Sequence, residues 1–254
     1  MSNTLAAYKG RSSANVVANA NEGISEFWPF LNGISGTPFE KYELNGGSVY
    51  ADTISNGLTS GAGGIAFSVS GSSSPDVASV YLGHAVLSGN FANPPETLTT
   101  FETAIFFDAV PTGSRKSRVK LGFSRDFSTS GLNADWGGVG AAKGAFFCFD
   151  PDVSNYWICK LQNQTQSVDI STITSITPVA DTTVYFKIVW NQTNVFYYIN
   201  GSLVANHAYT FIDQDYQSVC LGAGIKKTGS TVYTSMICRG IKLTQKYSTG
   251  LLFT

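Results

Sequence analysis

Residues 183–205 read TVYFKIVWNQTNVFYYINGSLVA, and this stretch predicts three consecutive antiparallel β-strands. In its first part every second side chain is large and apolar, which is the period of a strand that buries one face. The side chains of this face are Val184, Phe186, Ile188 and Trp190. Further along, Asn200-Gly201 predicts a tight hairpin turn, because both residues accept positive φ. The segments on either side of this turn are therefore expected to pair.

Short apolar or alternating runs recur along the rest of the chain, between clusters of turn residues. They lack the three-and-four spacing of amphipathic helices, and no unit of roughly 20 to 50 residues repeats. The further predicted strands cover 39–44, 48–53, 64–70, 78–87, 99–108, 117–123, 144–150, 156–162, 218–222 and 232–243. The pattern predicts an all-β fold, built as an antiparallel β-sandwich.

The composition indicates a turn-rich globular chain with one sandwich domain. Of its 254 residues, 43% are hydrophobic and 13% are charged, and all-β sandwiches of this length commonly form a single domain. We place the sandwich at residues 39–254 and an irregular N-terminal arm at residues 1–38. The arm contains Phe27, Trp28 and Phe30, so docking onto the body or a neighbouring subunit is weighed against disorder.

The charge balance argues against two classes of partner. With 16 basic and 17 acidic residues the formal charge is −1, so no general field draws the molecule to nucleic acid or to an anionic membrane. The start of the chain has no apolar core of signal-peptide length, and no apolar run approaches the length of a membrane span. We expect no nucleic-acid partner, no membrane partner and no signal peptide.

Three stretches resemble core strands of a known superfamily. The meander 184–205 resembles a hallmark of concanavalin A-like and laminin G-like sandwiches, in which a strand ending in Trp precedes one reading roughly fYiNG and then a short apolar strand. Thr99–Phe107 (TTFETAIFF) looks like an early core strand, and Ser235–Thr244 (SMICRGIKLT) looks like the closing strand. The resemblance covers residues 99–244 and implies a concanavalin A-like jelly roll.

The function implied by this resemblance is broader, because many activities share the scaffold. The superfamily includes lectins, glycoside hydrolases, adhesion modules and bacteriophage virion proteins such as fibre, spike and head-decoration subunits. The sequence has few charged residues and begins with an arm that is not part of the predicted sandwich. In these respects it looks most like the phage group. We interpret the chain as a virion structural or accessory subunit, made in the host cytoplasm, that packs against copies of itself and other virion proteins and exposes loops to host cell-surface glycans. The alternatives are a free carbohydrate-binding lectin-like module and a polysaccharide hydrolase.

The acidic residues do not form the pattern of the glycosidases of this fold. Laminarinase-like members carry Glu-x-Asp-x-x-Glu on one strand, whereas this chain has no Glu after Glu102. Asp150 and Asp152 are the remaining candidate pair of carboxylates. Acidic residues around a proline also suit a turn or, with Asn155, a calcium loop. We expect turn chemistry here, with no enzyme activity, no metal and no cofactor.

One loop combines the groups that sugar recognition needs. An aromatic platform for the sugar ring and polar groups for its hydroxyls occur together at Asn133, Asp135 and Trp136. Tyr156 and Trp157 follow a neighbouring turn and are candidates to extend this site. The alternative role for these rings is to cover the sandwich itself. These five residues form the predicted glycan site.

Two further features carry expectations about hairpins and edges. Cys148 and Cys159 lie symmetrically about a turn-forming stretch, so a hairpin there would bring them near each other across two strands. Buried thiols are favoured over a disulfide for a chain made in a reducing cytosol.

The basic run from Arg115 to Lys120 is interpreted as a protected sheet edge, with an acidic polysaccharide or a partner subunit as the alternative contact.

Overall fold

A computed structural model shows a sandwich of two antiparallel sheets. It describes residues 17–19, 23–30, 34, 37–52, 63–70, 76–82, 96–124, 127, 143–163, 168–191, 193–208, 220–227 and 233–247. In chain order the strands are β1 (Val17–Asn19), β2 (Gly23–Pro29), β3 (Phe39–Leu44), β4 (Gly47–Asp52), β5 (Gly64–Val69), β6 (Val77–Leu82), β7 (Glu96–Phe107), β8 (Ser117–Ser124), β9 (Lys143–Phe149), β10 (Ile158–Asn163), β11 (Val168–Ile173), β12 (Val184–Asn191), β13 (Asn194–Ile199), β14 (Ser202–Ala208), β15 (Cys220–Lys227) and β16 (Thr234–Tyr247). A short 3-10 helix, Gly113–Arg115, precedes β8. Within these residues no helix has the length and apolar character that a membrane crossing needs.

The nine-stranded sheet is organised around β16. This strand pairs with β7 along one side, and on its other side it pairs first with β5 and then with β2. The ladder to β7 shifts between Cys238 and Ile241, at the point where β16 changes its other partner. β4 pairs with β5, and β1 pairs with β2. On the other side of β7 the sheet continues with β12, β13 and β14, in that order.

The seven-stranded sheet has the order β11-β10-β9-β8-β15-β6-β3. It packs face to face with the nine-stranded sheet through large side chains. The Phe147 ring of β9 lies 5.0 Å from the Phe186 ring of β12 and 5.3 Å from the Tyr197 ring of β13, both in edge-on geometry. Such aromatic pairs add about 0.5–1.5 kcal/mol each beyond the area that they bury. The hydroxyl of buried Tyr197 donates to the carbonyl of Lys160, at 2.6 Å, and so ties the two sheets together.

The predicted hairpin is confirmed. Asn200 and Gly201 have φ values of 50° and 81°, and β13 pairs with β14 on either side of them. The Asn200 side chain accepts a hydrogen bond from the backbone N–H of Tyr185, at 2.9 Å, and the Asn200 N–H donates to the Tyr185 carbonyl. These two hydrogen bonds therefore hold the turn against the start of β12.

Part of the predicted N-terminal arm belongs to the sandwich. β2 pairs with β16 over six consecutive positions, and Trp28 and Phe30 are buried. Their rings meet the Phe39 ring edge-on, at 5.2 Å and 5.3 Å between centroids. Of the alternatives for the aromatic cluster, docking onto the body holds for residues 23–30, so the sandwich begins before residue 39. Residues 1–16 lie outside the described residues.

Candidate functional site

Long connections gather at one end of the sandwich. Antiparallel pairing places the ends of β6, β8 and β14 at the same end as the starts of β7, β9 and β15. The three long connections 83–95, 125–142 and 209–219 leave this end, which we call the loop end. The opposite end is called the turn end; its connections are shorter and include 45–46, 150–157 and 200–201. The loop end therefore offers the most chain from which a binding surface can be built.

The five residues of the predicted glycan site belong to two different connections. Its members in the connection 125–142, all outside the described residues, are Asn133, Asp135 and Trp136. Tyr156 and Trp157 belong to the connection 150–157 at the turn end. The strand ends that anchor the two connections are separated by the length of β9, about 20 Å at 3.4 Å per residue. The structure does not bring Tyr156 and Trp157 to the end from which the Trp136 connection leaves.

Trp157 lies in the core. Its ring is fully buried and its centroid is 4.7 Å from that of Phe186, 5.8 Å from Phe149 and 6.4 Å from Phe107. Its backbone N–H donates to the Ile176 carbonyl at 2.8 Å. Of the two roles considered for this ring, the structure supports covering the sandwich, because no part of the ring is accessible to a sugar.

Tyr156 is 42% exposed and follows an acidic turn whose carboxylates are engaged. Asp150 is buried; one of its oxygens lies 2.8 Å from Nε of Arg118, and the other accepts the N–H of Asp152 at 3.0 Å. The Asp152 carboxylate lies 2.7 Å from Nζ of Lys116. These contacts confirm the predicted turn chemistry, and each carboxylate has a cationic partner. The described residues contain no group of three side chains placed to hold a metal ion.

The basic run does not lie on a sheet edge. β8 is an inner strand, paired with β9 on one side and with β15 on the other, so the prediction of a protected edge is wrong. Arg115 donates to the Tyr233 carbonyl at 2.8 Å, while Lys116 and Arg118 pair with the acidic turn. The Nζ of Lys120 lies 4.3 Å from the centre of the Phe146 ring, and the whole side chain is buried. The alternating pattern of side chains predicts that Lys120 points away from the core. It does not show that this outer face is covered.

The covered outer face of the seven-stranded sheet is a second apolar layer. Phe146, Cys148 and Ile158 form a buried cluster there. The Phe127 ring packs so closely over Gly222 that a Cβ atom on this residue would lie 2.8 Å from Cδ2 of the ring. These side chains are therefore inaccessible to a ligand.

Cys148 and Cys159 are near each other, as predicted, but point to opposite faces. Phe147 pairs with Cys159 and Cys148 with Ile158, so the two cysteines are one register step apart. Both are buried free thiols, Cys159 in the main core and Cys148 on the covered face. Burial raises the pKa of Cys148 to about 12. A thiol with such a pKa does not ionise near neutral pH and is not a nucleophile there.

Solved structures of low sequence identity share this architecture. The carbohydrate recognition domain of Emp47p matches with a TM-score of 0.55 over 92% of this chain and 99% of that chain, at 10% identity. The Crh5 transglycosylase matches with a TM-score of 0.56 over 90% and 88%, at 12% identity. The fold is the concanavalin A-like β-sandwich. A protein of unknown function from Shewanella oneidensis MR-1 has the same TM-score over 100% of both chains, at 10% identity.

At these identities the likeness establishes the fold alone. Neither a family model nor a curated protein matches the sequence. The predicted concanavalin A-like jelly roll is confirmed as a fold. The virion role, which was inferred from the style of the sequence, gains no support from these neighbours and stays a prediction.

Proposed function

We propose that this protein binds carbohydrate at the loop end of its concanavalin A-like sandwich, through the connection 125–142. The observation that carries the proposal is the gathering of three long connections at the end from which the Trp136 segment leaves. The occurrence of the same fold in proteins described as carbohydrate recognition domains adds support. The proposal favours the lectin-like alternative over a particle subunit.

The chemistry of the segment suits a sugar. The indole of Trp136 provides a flat apolar surface for the less polar face of a pyranose ring. Asn133 offers both a donor and an acceptor, and Asp135 offers two acceptor oxygens for hydroxyl groups. Two glycines, which carry no side chain, follow Trp136 in the sequence. Few polar groups around one aromatic surface are typical of small-ligand sites.

The test is a glycan array probed with the full chain and with matched variants. Wild-type protein is expected to bind at least one neutral glycan, and Trp136→Ala is expected to weaken that binding at least about tenfold, since a central aromatic often contributes more than 1.4 kcal/mol. Tyr156→Ala at the turn end is the control and should bind as wild type does. Binding that survives Trp136→Ala, with the melting temperature unchanged, would overturn the assignment of the site.

A further inference from the structure

A straight row of side chains crosses six strands on the outer face of the nine-stranded sheet. The pairing register aligns one residue each from β2, β16, β7, β12, β13 and β14. We call this row the cross-strand stripe. Its members are Phe27, Lys242, Glu102, Lys187, Tyr198 and Leu203.

The stripe is accessible and ends in apolar side chains. Phe27 at one end is 43% exposed, and Leu203 at the other is 55% exposed. Tyr185, which precedes Lys187 by two residues and shares its face, is 61% exposed. Large apolar groups gathered on one open face, with polar groups between them, are typical of interaction surfaces.

The middle of the stripe is cationic. The Nζ atoms of Lys187 and Lys242 each lie 3.6 Å from the same Oε1 atom of Glu102, so two ammonium groups share one carboxylate. Arg239 supplies a third cation on this face, with its guanidinium carbon 5.9 Å from the centre of the Phe106 ring. Two lysines around one carboxylate leave a net positive charge at the middle of the stripe, on a chain whose overall charge is −1.

We propose that the cross-strand stripe binds an acidic polysaccharide, with the sugar chain lying across the strands. Carboxylates of the polymer pair with Lys187 and Lys242, and its rings pack on Tyr198 and Phe27. Glu102 holds both lysines in place but also reduces their combined charge. None of the stripe residues belongs to the connection 125–142, so the inference goes beyond the proposed function and does not depend on it.

The test measures binding of polygalacturonate to the full chain, with dextran as the neutral polymer. Wild type is expected to bind polygalacturonate and not dextran, and to bind more weakly at higher salt because the contacts are exposed ion pairs. The double variant Lys187→Gln/Lys242→Gln is expected to lose at least about fivefold in affinity, and Glu102→Gln to gain roughly twofold to fivefold. Lys116→Gln is the matched control, since it removes the same charge at the turn end.

Several results would overturn this inference. They are an absence of polygalacturonate binding, a Lys116→Gln loss as large as that of the double variant, or a Glu102→Gln variant that binds more weakly. Equal affinity for duplex DNA with the same ranking of variants would identify a general polyanion surface and refute the assignment to a polysaccharide. Trp136→Ala should leave polygalacturonate binding unchanged, so failure at the stripe and failure at the loop end are measured separately.

Discussion

Two outer-face regions, around Lys120 on the seven-stranded sheet and around Lys187 on the nine-stranded sheet, have opposite surroundings, although both are made by alternating strands. On the seven-stranded sheet, Lys120 and Phe146 are fully buried and contact each other. On the nine-stranded sheet, Lys187 and Tyr185 also point away from the core, but both are exposed. The comparison shows that alternation specifies which side chains leave the core and does not specify whether they meet solvent.

The largest difference is expected for aromatic side chains. Phe146→Ala should lower the free energy of unfolding by about 3–5 kcal/mol, because it empties a packed site on the covered face. Tyr185→Ala should change it by no more than about 0.5 kcal/mol, since the ring is mostly in solvent. Urea unfolding of the two variants and wild type measures both values. Equal losses would show that the two faces do not differ as described.

A smaller difference is expected for the lysines. Lys120→Met keeps an unbranched side chain of similar length but removes the ammonium group from the Phe146 ring, and a desolvated cation–π contact contributes about 1–2 kcal/mol. Lys187→Met removes an exposed ion pair with Glu102, which is worth less than about 1 kcal/mol. Thermal and urea unfolding should therefore rank Lys120→Met as the less stable variant. The reverse ranking would show that the contact with the Phe146 ring does not offset the cost of burying the Lys120 ammonium group.

The smallest expected effect concerns the rim where the two sheets meet. His207 of β14 is buried, and its Nε2 lies 2.9 Å from Oγ1 of Thr172 on β11. Burial lowers the pKa of His207 below its usual 6.5. Below pH 6.5 the unfolded chain therefore binds a proton that the folded chain does not. The free energy of unfolding should therefore decrease as the pH is lowered below 6.5. The decrease is at most about 1.4 kcal/mol per pH unit for one proton.

His207→Gln is the matched variant for this rim. Its stability should vary less than that of wild type between pH 6.5 and 5, in urea unfolding at constant salt. Curves of the same slope for the two proteins would show that His207 does not carry the effect.

Most of the fold could be predicted because the local sequence of most strands shows the pattern of a β-strand. Phe39–Leu44 has the predicted bounds, and Asn200-Gly201 fixed the hairpin by backbone chemistry alone. β11 was missed because its apolar residues do not keep the two-residue period: Thr172 takes the third position of the inner face, while Ile173 lies on the exposed face. β2 was missed because its partner β16 lies more than two hundred residues away, beyond the reach of local pattern.

The sites were less predictable, because they depend on register between distant strands. Nothing in the sequence around Glu102 indicates that Lys187 and Lys242 flank it. The buried position of Trp157 likewise depends on Phe107 and Phe186, which come from other strands. The predicted residues Asn133, Asp135 and Trp136 lie outside the described residues, so their role stays a prediction.

The position of β16 has a consequence for biosynthesis. It is the last of the described strands in chain order, yet it is inserted between β7 and the strands β2 and β5. While the ribosome is still making the chain, β7 has a free edge, and β2 and β5 lack the pairing that β16 supplies. Completion of the nine-stranded sheet must wait for residue 247, so chaperone binding during translation should protect that edge.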